Sequence, residues 1–215
     1  MTVAAKICGV SSREAVAAAM AGGAGFVGFV FYPPSPRHVT PERAAGLAAE
    51  LPDEVIKVGL FVDPDDATLE ATLAAAPLDM VQLHGAESPE RVAEVRRRTG
   101  LEAMKAIKVG TEADLARARA YEGVADRLLF DAKAPAGADA ALPGGMGYAF
   151  DWRLLKGRAW RCPWMLSGGL NAANVAQAVA ASGSPAVDVS SGVEDRPGHK
   201  DPAAIAAFLA SVAAL

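Results

Sequence analysis

Cysteine is nearly missing from this chain. There are two in 215 residues, Cys8 and Cys162, far apart and at no metal-ligand spacing. Two reduced thiols in a cytoplasmic, reducing setting suit them better than a disulfide framework. A basic stripe is missing as well. The formal net charge is −4 with the signs interspersed, which argues against nucleic acid as a partner. No linker or shift in composition divides the sequence, so 1–215 reads as one domain. Only one stretch resembles a membrane segment: 15–32 carries no charge over 18 residues. It contains Gly22, Gly23, Gly25 and Gly28 and runs into Pro33-Pro34, while Arg13 and Glu14 are the wrong flank for a signal peptide. A helix, a glycine turn and a buried strand explain it better than a span, so no membrane partner is expected.

What remains is a globular composition, 52% apolar and 21% charged. A chain of this length buries roughly 70% of its unfolded surface and needs no staples. Eight short runs rich in β-branched and aromatic residues read as strands: 3–8, 25–31, 55–61, 79–84, 102–109, 127–131, 164–168 and 186–191. Helical patterns lie between them. SSREAVAAAMAGG has a Ser cap and closes at glycine; TPERAAGLAAELP and SPERVAEVRRRTG carry a capping hydroxyl, then Pro, then Glu. FDWRLLKG is read as the helix before strand 7, and a helix start is placed at Asn171. Strand–helix alternation implies a parallel sheet, and apolar runs imply that both faces are covered. Eight units match the closure number of a single α/β (β/α)8 TIM barrel, with an open doubly wound sheet as the alternative.

In such a barrel, chemistry gathers where strands end. Strand 1 ends in Cys8, strand 4 carries Gln82 and His84, and strand 6 ends in Asp131. Arg37 follows strand 2, Ser167-Gly168-Gly169 ends strand 7, and Asp188, Ser190 and Ser191 end strand 8. The period of two puts Lys6 with Cys8, Gln82 with His84, and Asp188 with Ser190 on the inner face. Each residue also has a plain reading: Cys8 as filler, His84 as a loop cap, Asp131 as a cap or a partner of Lys133, Arg37 as a solvated loop residue. Polar groups from six strands at one rim make coincidence a poor account. Gly168 and Gly169 before a helix, with Ser190 and Ser191 in the next unit, form a candidate phosphate site. The segment 134–147, APAGADAALPGGMG, reads as a long loop after strand 6 of the kind that serves as a lid.

The motifs KICG, GFVFYPPSPRHV, VQLHG, LLFDAK, SGGLNAANV and DVSSGVEDRPGHKD occur in order along nearly the whole chain. Together they resemble the phosphoribosylanthranilate isomerase family. The resemblance implies a (β/α)8 barrel, a small-molecule substrate, no cofactor and no metal. The implied activity is the Amadori rearrangement of N-(5-phosphoribosyl)anthranilate in tryptophan biosynthesis, by a monomer or homodimer. It assigns Cys8 as general base, Asp131 as general acid, Arg37 to the substrate carboxylate, and Gly168, Gly169, Ser190 and Ser191 to phosphate. Gln82, His84 and Asp188 fall near the substrate. Lys6 is expected to favour the Cys8 thiolate, and burial or nearby negative charge to raise the pKa of Asp131. A histidine-pathway isomerase on the same barrel, or a non-catalytic phosphate-binding barrel, need not carry both Cys8 and Asp131.

Overall fold

The computed structural model describes residues 2–134 and 144–215. The middle of the long loop, 135–143, therefore lies outside the described residues. Eight parallel strands form a closed barrel in chain order: β1 (Ala4–Cys8), β2 (Phe26–Val30), β3 (Ile56–Phe61), β4 (Met80–Leu83), β5 (Glu102–Val109), β6 (Arg127–Ala132), β7 (Trp164–Leu166) and β8 (Ala186–Val189). The barrel closes by pairing of β8 with β1, which sets Lys6 opposite Asp188. This is the TIM barrel expected from the strand count.

The period of two sorts the strands into two cores. Residues facing out, among them Ile7, Val27, Phe29, Val81, Leu83, Leu128 and Phe130, pack under the helices. Residues facing in build the barrel floor from Phe26, Val58, Met80, Met104, Leu129 and Met165. Higher up, Cys8 packs with Val30 and Leu60. The apolar floor leaves the polar inner positions clustered toward the carboxyl ends of the strands.

The helices are α1 (Arg13–Ala21), α2 (Pro41–Ala48), α3 (Asp66–Ala75), α4 (Pro89–Thr99), α5 (Glu112–Ala118), α6 (Val175–Ser182) and α7 (Pro202–Ala213). Their starts follow the predicted chemistry. Ser12, Thr40 and Ser88 accept the amides of Ala15, Arg43 and Arg91 at 3.2 to 3.3 Å, and Pro occupies the first turn of α2 and α4.

Three expectations fail locally. FDWRLLKG is not an α-helix but a 3-10 turn, Trp152–Leu155. Asp151 caps it and the chain then leaves through Gly157, so the segment is too short to repay helix nucleation. The helix after β7 begins at Val175, not at Asn171. Asn171 and Asn174 divert nearby amides into side-chain turns, Asn171 N donating to Asn174 Oδ1 at 2.8 Å and Ala173 N to Asn171 Oδ1 at 2.9 Å. The predicted strands 7 and 8 are also too long, ending at Leu166 and Val189, with Ser167–Gly169 and Ser190–Ser191 in the loops beyond. A short hairpin that the sequence reading did not foresee follows: β9 (Glu194–Arg196) with β10 (His199–Lys200).

Candidate active site

A cavity of about 320 Å³ opens at the carboxyl ends of the strands, the size of a small-ligand site. Its wall includes Cys8, Arg37, His84, Asp131, Gly168, Gly169, Asp188, Ser190 and Ser191. Of the residues singled out from sequence, Lys6 and Gln82 do not reach it. Gln82 is fully buried beneath His84.

Cys8 stands on the inner face of β1, above Lys6. Lys6 Nζ donates to Asp188 Oδ1 at 2.8 Å, and Ser167 Oγ donates to Asp188 Oδ2 at 2.9 Å. This ties β1, β7 and β8 together below the thiol. Room for it comes from Gly28 on β2, where an added Cβ would lie 3.2 Å from both Cys8 Sγ and Lys6 Nζ. Burial pushes the Cys8 thiol above its ordinary value, with Asp188 adding to the rise, against the pull of Lys6 and Lys200. Lys6 therefore acts in the direction expected, but burial outweighs it. Lys6 itself is held firmly charged: burial lowers its affinity for a proton, and Asp188 and Cys8 more than restore it.

The acid end is built from β4 and β6. Gln82 Nε2 lies 2.9 Å from His84 Nδ1, and His84 Nε2 lies 3.1 Å from Asp131 Oδ2. These two contacts run from Gln82 through the His84 ring to Asp131. Asp131 Oδ1 accepts the amide of Ala132 at 2.9 Å. The alternative pairing with Lys133 does not occur: Lys133 turns to Asp114 at 3.4 Å. Around the closed barrel, β6 is three strands from β1 by way of β7 and β8, so Asp131 and Cys8 approach the cavity from different sides.

At the phosphate end, Gly168 and Gly169 have φ of +91° and +67°, left-handed backbone that side chains with a Cβ rarely adopt. An added Cβ on Gly169 would also meet Gly147 O and Tyr148 O at 2.9 Å. Ser190 is less free than the sequence suggests: its Oγ donates to Cys8 O at 3.1 Å and accepts from Lys200 Nζ at 3.1 Å. The α6 dipole lies a turn further from the glycines than expected. A 3-10 turn, Ser191–Val193, starts in the β8 loop instead.

Arg37 is nearly buried, 6% exposed. Its Nε and Nη2 grip Glu194 Oε1 and Oε2 at 2.8 and 2.9 Å, and Nη2 also donates to Gly145 O at 3.1 Å. One edge of the guanidinium fork is thus already used. The side-chain stem crosses over Gly9, where an added Cβ would sit 2.8 Å from Arg37 Cδ.

A family model for N-(5'-phosphoribosyl)anthranilate isomerase matches residues 5–211. The chain belongs to that family. It is 66% identical over 215 residues to the N-(5'-phosphoribosyl)anthranilate isomerase of Rhodospirillum centenum, covering 100% of both chains. The crystal structure of the Thermotoga maritima phosphoribosylanthranilate isomerase is 38% identical, with full coverage of both chains and a TM-score of 0.88. A solved isomerase in complex with reduced 1-(o-carboxyphenylamino)-1-deoxyribulose 5-phosphate matches at 36% identity and a TM-score of 0.85, again over the whole of both chains.

Beside the cavity of this isomerase fold, two buried charged side chains escaped the sequence reading. Glu194 and Lys200 lie in GVEDRPGHKD, where the Pro197-Gly198 pair was the available signal for a hairpin. The structure brings both against Arg37 and Ser190.

Proposed function

We propose that Cys8 and Asp131 carry out the family's reaction, the conversion of N-(5-phosphoribosyl)anthranilate to 1-(2-carboxyphenylamino)-1-deoxyribulose 5-phosphate in tryptophan biosynthesis. Asp131 gives its proton to the ribose ring oxygen as the C1–O bond breaks, which leaves an open-chain iminium. The Cys8 thiolate then removes the C2 proton, and the electron pair of that C–H bond neutralises the iminium nitrogen. Ketonisation follows: C1 gains a proton and the C2 hydroxyl loses one. No cofactor enters this balance. Acid and base on different sides of one sugar are what the two steps require.

The observation that carries this reading is that the two groups enter one cavity from β1 and β6, with the glycine and serine loops of β7 and β8 on the same wall. The iminium acidifies the C2 proton, so a thiol of raised pKa still serves as base. His84 holds the Asp131 carboxyl through Nε2, and Gln82 sets the ring. Arg37 meets the substrate carboxylate with its remaining nitrogen, Nη1. Gly168, Gly169 and Ser191 hold the phosphate, with Ser190 shaping that loop. Asp188 acts through Lys6. We place the enzyme in the cytosol, as a monomer or homodimer; among the described residues no helix is long and apolar enough to cross a membrane.

The test is loss of phosphoribosylanthranilate fluorescence with purified protein, repeated with Cys8→Ala and Asp131→Ala. Removal of a general acid or base is expected to cost about 10²–10⁴-fold in kcat. Full activity in either variant overturns the assignment.

A further inference from the structure

We propose that Glu194 is a positioning residue that sets both anion-binding ends of the cavity, through Arg37 at one end and Lys200 at the other. This rests on the reading of Arg37 and the β7 and β8 loops given above. The Glu194 side chain is 3% exposed and takes four donors. Oε1 accepts Arg37 Nε at 2.8 Å and Lys200 Nζ at 2.6 Å; Oε2 accepts Arg37 Nη2 at 2.9 Å and Gly198 N at 3.2 Å. Four donors fill the lone-pair positions of a carboxylate, so Glu194 has nothing left for a ligand. Burial alone would favour its protonated form, but Arg37 and Lys200 hold its carboxyl below the usual range.

Each partner carries the effect to a different loop. With its Nε and Nη2 edge fixed, Arg37 is held at one angle, leaving Nη1 for an incoming carboxylate. Lys200 Nζ donates to Ser190 O at 2.9 Å and to Ser190 Oγ at 3.1 Å, and Ser190 Oγ donates to the backbone of Cys8. Lys200 therefore fixes the phosphate loop relative to the strand that bears the base. The hairpin also braces the Arg37 loop directly. Gly198 has φ +83°, and a Cβ there would lie 2.2 Å from Pro36 O. The segment GVEDRPGHK is in this way a clamp on two loops that are distant in sequence.

The chemistry recognised is a ligand with a carboxylate at one end and a phosphate at the other. Glu194→Gln keeps the shape and removes the charge. In the fluorescence assay it is expected to raise KM by about tenfold or more, the scale of a lost charge-assisted hydrogen bond, with kcat within about threefold of the parent. Ligand-observed NMR titrations then separate the two ends without turnover. Glu194→Gln should weaken anthranilate and inorganic phosphate alike. Lys200→Met should weaken inorganic phosphate and leave anthranilate unchanged, and Lys200→Arg should recover phosphate. If Glu194→Gln does not fold, the two Lys200 variants carry the test. A loss confined to kcat, unchanged affinity for both probes, or equal loss of both probes in Lys200→Met overturns the proposal. A parent that binds both probes without turning over phosphoribosylanthranilate overturns the catalytic reading and leaves the role of Glu194 standing.

Discussion

Replacing Lys6 by Met removes one half of a buried ion pair. The Lys6 and Asp188 side chains are 0% and 5% exposed, with 2.8 Å between Nζ and Oδ1. After the substitution, Asp188 keeps only Ser167 as a donor, and a carboxylate is left almost uncompensated in the barrel. Breaking a buried pair from one side costs about 3–5 kcal/mol. At roughly 2–4 °C per kcal/mol for a chain of this size, the melting temperature should fall by about 6–20 °C. The pH dependence has a definite sign. The folded pKa of Lys6 is raised, so its contribution is fully present below the unfolded value, about 10.4, and fades only as pH rises through the folded one. The loss should therefore be the same in neutral and mildly alkaline buffer, and should shrink in acid, where the stranded Asp188 carboxylate takes up a proton. Thermal unfolding followed by circular dichroism measures it. The double variant Lys6→Met/Asp188→Leu replaces the whole pair with apolar side chains and should recover most of the loss. A single variant that melts within about 2 °C of the parent refutes the reasoning, as does a double variant whose loss is the sum of its parts.

Two further outcomes follow from the surroundings of Cys8. Because burial raises its thiol, kcat/KM should climb with pH along a limb centred above the ordinary cysteine value of about 8.5; Lys6→Met, which takes away a lowering charge, should move that limb higher, and a limb centred near neutrality would contradict both. Gly28→Ala puts a methyl group 3.2 Å from Cys8 Sγ and Lys6 Nζ; displacing the base should lower kcat by about 10–100-fold while the protein stays folded, and wild-type turnover would show that the gap beside the thiol has no part in placing it.

The barrel and most of its mouth are legible because both rest on local periodicity. A period of two put Lys6, Cys8, Gln82, His84 and Asp188 on the inner face, and the register of β1 with β8 agrees, with Lys6 opposite Asp188. Capped helices were equally plain, since Ser12, Thr40 and Ser88 act on amides three residues away. What escaped detection lacks a local signature. Glu194 meets Arg37 across 157 positions, and the hairpin that carries it has strands of three and two residues, too short for a pattern to show. The delayed start of α6 turned on a competition between two asparagine side chains and the helix for the same amides. The direction of the Cys8 shift was a competition too. The sequence showed that Lys6 was near, but not that the thiol would be sealed from water.

The buried charges around Cys8 show why the site tolerates that sealing. Lys6, Arg37 and Lys200 are cations; Asp188 and Glu194 are carboxylates; all five side chains are 7% exposed or less. Three positive and two negative charges leave one positive charge in excess. Each carboxylate is already shared between partners, so the excess cannot be neutralised within the group. A thiolate at Cys8 or a phosphate at the β7 and β8 loops would supply the missing negative charge. The two compete for it, and the bound phosphate should make the thiolate harder to form. On the mechanism proposed above, the iminium, a second positive charge beside Cys8, would then ease formation of the thiolate. That ordering places ring opening before deprotonation for an electrostatic reason, independent of the geometry of either step.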